Sequence, residues 1–141
     1  MALRSHAGES FSAHARCPFE VRSFEPSAWG PTEQVGMQLG RASLRKEFTG
    51  GDLEATGTVE MLSARQGESA GTYVALELIN GRLGELVGTF LLQHGGTASS
   101  DGGQRTWVEV VEGSGTGELV GLRGQGRIEH GLLELDYGLA S

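Results

Sequence analysis

One cysteine, Cys17, in 141 residues rules out an internal disulfide and any zinc site built on two or four cysteines. Cations are also scarce. Eleven Lys and Arg against 18 Asp and Glu leave a formal charge of −7 with no basic cluster, so nothing would replace the counterions of a nucleic acid. An anionic membrane surface is not an expected partner, on the same ground. The longest unbroken aliphatic or aromatic run is Phe90-Leu91-Leu92, far short of the roughly 20 residues of a spanning helix. The N-terminus, broken up by His6, Glu9 and His14, carries no apolar signal-peptide core, so the expected location is cytoplasmic. Residues 1–10 read as a flexible tail and residues 11–141 as one domain.

Glycine is abundant instead, at 24 residues where average usage of about 7% would give roughly ten. Each glycine inside a helix would cost about 1 kcal/mol, whereas short strands separated by glycine turns tolerate them well. Eight strands are expected, at 11–24, 35–48, 53–63, 72–79, 82–94, 105–111, 119–128 and 132–139. The words Gly84-Glu85-Leu86-Val87-Gly88 and Gly117-Glu118-Leu119-Val120-Gly121 repeat, each read as a strand start after a turn. Residues 25–33, with Pro26, Trp29 and Pro31, form the one long connection, with room for a helical turn.

Two-residue turns set register, and Asn80-Gly81 carries the sequence signal of a type I′ hairpin. Counting outward places Tyr73, Ala75, Glu77, Leu86, Gly88, Phe90, Leu92 and His94 on one face. Val74, Leu76, Leu78, Leu83, Val87 and Leu91 fall on the other. His130-Gly131 pairs Ile128 with Leu133 and Gly124 with Tyr137 on an apolar face. Arg127 then meets Glu134 on the wet one. Around Gly50-Gly51, Lys46 is the single charge on an otherwise apolar face, and Glu47 falls opposite Glu54. Eight antiparallel strands with one wet face close most economically into a small all-β barrel. Inward glycines such as Gly57, Gly88, Gly124 and Gly126 would allow sharp coiling or leave room for a ligand.

Three motifs stand together: Lys46-Glu47-Phe48-Thr49-Gly50-Gly51-Asp52-Leu53; the stretch from Glu77 to Gly81 with Gly88, Phe90, Leu92 and His94; and Gly113-Ser114-Gly115-Thr116-Gly117-Glu118-Leu119. With them the chain resembles the bacterial domain-of-unknown-function family numbered 3224, over about residues 11–139. The resemblance implies an antiparallel barrel similar to allene oxide cyclase, self-associating, with no established activity. Gly51 is an insertion relative to that pattern, and Ala55 replaces a usual glycine.

Gly113-Ser114-Gly115-Thr116-Gly117 fits neither phosphate-binding glycine motif and no helix follows it, so it reads as a turn. Neither does it contain a nucleophile elbow. The four histidines lack ligand spacing, so no metal and no cofactor is expected. The sharpest residue is Glu77, a carboxylate among Tyr73, Phe90 and Leu92 whose pKa should rise unless a cation faces it. Lys46 is the candidate cation, and His94 shares the face. Either these form a structural ion pair, or Glu77, Lys46 and His94 act on a ligand held by Tyr73, Phe90, Leu92, Trp107 and Tyr137. Three functions follow: a barrel binding a small, mostly apolar molecule; a cofactor-independent isomerase or cyclase of a flexible apolar substrate; and a filled barrel whose outer aliphatic strips build a homo-oligomer.

Overall fold

The computed structural model describes residues 11–31, 36–68 and 70–140, so the expected tail lies outside the described residues. Eight strands follow in order: β1 (Ala13–Ala28), β2 (Gln38–Phe48), β3 (Leu53–Gln66), β4 (Ala70–Leu83), β5 (Leu86–Ala98), β6 (Gln104–Val110), β7 (Leu122–Glu129) and β8 (Leu132–Leu139). Each pairs antiparallel with its sequence neighbours, and β8 returns to β1 to close the barrel. The expected all-β barrel is the observed one, with every expected strand present.

The alternation read from the sequence decides what is inside. On β4, Ala75, Glu77 and Ile79 are buried while Val74, Leu76 and Leu78 lie 45–54% exposed between them. One end of the barrel is filled by Phe48, Leu53, Leu83, Phe90, Leu119, Leu122, Leu133 and Leu135, all at most 1% exposed. At about 1.5–3 kcal/mol for each such side chain removed from water, this packed end supplies much of the drive to fold.

Register departs from expectation at two hairpins and agrees at the third. Asn80-Gly81 is not a turn: β4 runs through it, and the hairpin closes at Gly84-Glu85 with Leu83 opposite Leu86 and Glu77 opposite Leu92. Gly84 alone of this pair has positive φ, at 59°, as a type II′ turn requires. Gly81 serves another need, because a side chain there would strike the Glu54 carbonyl and Ala55 of β3. Leu83 consequently sits in the core and not on the outer face. The expected pairing was wrong by eight residues in its sum, an even number, so the other side chains keep their faces. Around Gly50-Gly51 the loop is longer than two residues, Phe48 pairs with Ala55, and Glu47 meets Thr56, which removes the expected like-charge contact. The His130-Gly131 hairpin has the expected register, with φ of 52° and 74° at its centre and an Arg127–Glu134 ion pair of 3.0 Å.

Other expectations are corrected in the connections. The stretch begun by Glu25 continues β1 to Ala28, and no helical turn occurs among its described residues; residues 32–35 lie outside them. The second copy of the repeated word forms a 3₁₀ turn, Gly117–Leu119, and β7 starts after it at Leu122. Just before it, the Gly-Ser-Gly-Thr-Gly segment lies along β5 like a short ninth strand. Thr116 N–H donates to Thr89 O, Thr89 N–H to Thr116 Oγ1 at 3.0 Å, and Leu91 N–H to Ser114 Oγ at 3.0 Å. Its hydroxyls are therefore spent on closing the barrel.

Closure is confined to this packed end. Among the described residues, β1 from Phe19 onward pairs with β2 alone, and residues 104–107 of β6 pair with β5 alone. The other end is a trough of six strands whose two edges are the ends of β1 and β6. Pro26, lacking an N–H, and the charged Glu20, Arg22 and Glu25 blunt the β1 edge against pairing with another chain.

Candidate functional site

The trough holds a cavity of about 850 Å³, within the size range of small-molecule sites. Its walls are cut from small residues: Ala28, Gly40, Ala42, Gly71, Gly96 and Ala98 occupy inward positions that hold Phe and Leu at the packed end. Phe24, Leu39 and Met61 add apolar surface, while Gln38, Arg65, Glu68 and Gln104 supply polar groups. Arg65 donates to Gln38 Oε1 at 3.3 Å.

Between the cavity and the core lies a chain of buried polar groups. Lys46 Nζ of β2 donates to Glu77 Oε1 of β4 at 3.1 Å, and His94 Nε2 of β5 lies 3.0 Å from the same oxygen. The Tyr73 hydroxyl is 3.2 Å from His94 Nδ1, with the two rings edge to face at 5.7 Å. Glu77 is fully buried, and His94 and Lys46 are 4% and 7% exposed. The Lys46 ammonium also sits over the Phe19 ring at 4.3 Å.

Strand pleating brings these groups together. Residues 73, 75 and 77 share the inner face of β4, His94 lies opposite Ala75 on β5, and Lys46 lies two strands away across Gly57. Gly57 makes room for the carboxylate, since a Cβ there would press into Glu77 Oε2 and stand 3.1 Å from Phe48 Cε2. That oxygen has no hydrogen-bond partner among the described residues. Burial drives the Glu77 carboxyl upward, but the His94 hydrogen bond and the Lys46 charge outweigh it and hold the group below its ordinary value. Glu77 is thus a buried carboxylate with the cation the sequence supplied for it. Burial, then the Glu77 charge, push the Tyr73 phenol up, so it keeps its proton.

The expected residues separate into two sets. Glu77, Lys46, His94 and Tyr73 come together, with His94 inside its strand and not at the end of one, since β5 continues to Ala98. Of the five expected ligand-holding residues, Tyr73 alone lines the cavity. Phe90 and Leu92 are packed into the core. Trp107 is 38% exposed and lies on the outer face against Gly95, while Tyr137 packs at the far, closed end near Gly84. The expected glycines 57, 88, 124 and 126 do not line the cavity; each has side-chain or backbone atoms filling the place of a Cβ. Sequence reasoning missed Phe19, Met61, Arg65 and the cavity wall. The available signal was Gly or Ala at alternate positions, Gly40-x-Ala42 and Gly96-x-Ala98. Among the described residues no three His, Cys, Asp or Glu are grouped as a metal site requires.

Fold and site together define an antiparallel β-barrel, filled at one end and hollow at the other, with an ionised relay buried between the two. The chain belongs to the DUF3224 family of proteins of unknown function, whose model matches residues 15–137. A solved structure similar to it is that of a DUF3224 protein of unknown function from Shewanella oneidensis MR-1. The two share 37% identity and superpose with a TM-score of 0.81, covering 92% of this chain and 98% of that one. No curated protein matches the chain. No helix among the described residues is long and apolar enough to cross a membrane.

Proposed function

We propose that the protein binds a small, mostly apolar molecule in the trough cavity, with Tyr73 as the polar anchor. The supporting observation is the contrast between the two ends: inward positions are Phe and Leu where the barrel is solid and Gly or Ala around the 850 Å³ cavity. A sheet with no need of a cavity gains stability by filling the alanine positions, Ala28, Ala42 and Ala98, whereas at Gly40, Gly71 and Gly96 a Cβ would strike Ser63, Ala64 or Tyr73. Among the described residues, β1 from Phe19 onward and residues 104–107 of β6 each lack a second neighbouring strand, which gives a ligand a lateral way in. Catalysis through Glu77 or Lys46, as in an isomerase or cyclase, has less support, because neither side chain lines the cavity and each already satisfies the other's charge. Native mass spectrometry of the freshly purified protein, set against denaturing spectra of the same sample, tests the reading. A non-covalent added mass, lost on denaturation and reduced by Ala42→Phe, is the expected result. Retention of the added mass in Ala42→Phe would place the ligand elsewhere and overturn the assignment.

Self-association is a second reading, favoured by the outer face of the β3–β4–β5 region. Leu62, Val74, Leu76 and Leu78 lie there 40–54% exposed in adjacent rows, a patch suited to facing a second copy of itself across a two-fold axis. A stable contact needs about 800 Å² from each partner, so neighbouring residues such as Trp107 would join it. Light scattering should show a dimer that Leu76→Glu converts to monomer; a monomeric parent protein removes this reading.

A further inference from the structure

We propose that the buried relay fixes the hydrogen-bond polarity of Tyr73, so that the cavity selects an apolar molecule carrying a hydroxyl or N–H donor over one offering only an acceptor. This rests on the reading of the cavity as a ligand site and narrows its ligand class. Lys46 and His94 both approach Glu77 Oε1, at 3.1 and 3.0 Å, and a carboxylate only accepts. His94 Nε2 must therefore carry a hydrogen.

Whether Nδ1 carries one too follows from the charge of the cluster. The groups facing His94 are Glu77 and Tyr73 from β4 and Lys46 from β2; β6 sets the apolar Val108 opposite it. One ammonium already balances the one carboxylate. A second cation at a site 4% exposed would leave a net buried charge, which is costly without a further partner. On this balance of charge His94 is assigned the neutral form, with its hydrogen on Nε2 and a lone pair on Nδ1. In that form the Tyr73 hydroxyl, 3.2 Å away, donates its single hydrogen to that lone pair. Its oxygen keeps only acceptor capacity, and Tyr73 is the one relay member lining the cavity. In this scheme His94 is a positioning residue: it turns a group that could donate or accept into one that accepts.

Two measurements on the full chain decide the matter. Ring ¹⁵N shifts of His94 at pH 7 should report a neutral imidazole protonated on Nε2. In parallel, 1-naphthol and 1-methoxynaphthalene, which share a ring system and differ in the donor hydrogen, are titrated by fluorescence into wild-type protein and Tyr73→Phe. The preference for naphthol should fall by about three- to tenfold in Tyr73→Phe, the size of one neutral hydrogen bond, while methoxynaphthalene binding holds. An unchanged preference, or a His94 that is an imidazolium or protonated on Nδ1 alone, overturns the inference and leaves the cavity reading intact. Failure of both probes to bind wild-type protein removes the cavity reading and this inference with it.

Discussion

Replacing Lys46 by Met keeps most of the apolar stem and removes the ammonium, which pairs with Glu77 and sits over the Phe19 ring, so it tests what that charge does for Glu77. At the observed 3.1 Å, and with an effective dielectric of about 20, the attraction lost is about 5 kcal/mol. That is close to the roughly 3–5 kcal/mol lost when one partner of a buried pair is removed and the other is left charged. For a chain of this size, such a loss lowers the melting temperature by roughly 10–15 °C. The pH dependence sharpens the test. Glu77 titrates below its ordinary value of 4.5 in the folded protein, so its ionised form contributes stability at neutral pH, and that contribution is lost as pH falls from about 4.5 through the folded value. In Lys46→Met the charge and hydrogen bond of the ammonium are gone while burial stays, so the carboxyl moves upward from its value in the parent. Ionised Glu77 then contributes less stability to the variant at pH 7, and the difference closes as both carboxyls protonate on acidification. Urea unfolding of both proteins at pH 7 and near pH 3 should show the gap between them widest at pH 7. A variant within about 1 kcal/mol of the parent at pH 7, or a gap that widens on acidification, refutes the reasoning, because ordinary surface substitutions fall in that range.

Gly57→Ala places a methyl group against Glu77 Oε2 and Phe48 and should cost about 1–3 kcal/mol in the same unfolding assay; a neutral result means the carboxylate is not held there. The position of the β4–β5 turn is tested by a pair of variants. Asn80→Ala should change stability by less than about 0.5 kcal/mol, whereas Gly84→Ala, at a φ of 59°, should cost at least about 1 kcal/mol, and the opposite order would restore the turn to Asn80-Gly81. Cys17 is fully buried, and burial, then the nearby Asp52 charge, push its thiol up to about 12. It should resist an aromatic disulfide reagent at pH 8 until the protein is unfolded in urea; rapid labelling of the native protein would contradict its burial.

Local chemistry made a good deal of this legible. Period-two alternation and glycine spacing identified eight strands, and the His130-Gly131 turn needed no outside help to adopt its register, because His and Gly at positive φ meet the turn's own demand. Glu77 and Lys46 stood out as lone charges on apolar faces, and a buried charge requires an opposite one. Face assignment survived the misplaced turn because an even register error preserves parity. Asn80-Gly81 itself could not be read correctly from its two residues. A glycine that turns the chain and one that lets β3 approach β4 look alike in sequence, and only the neighbouring strand tells them apart.

The amino-acid sequence by itself determined the strands, their inner and outer faces, and the need for Glu77 and Lys46 to meet, since these depend on alternation, turn chemistry and charge. Tertiary structure alone decided that the barrel is solid beside Phe90 and Leu92 and hollow beside Tyr73. The difference arises from which small residues of four strands fall at the same level and from β7 and β8 closing only one end, and both are relations between segments distant in the chain.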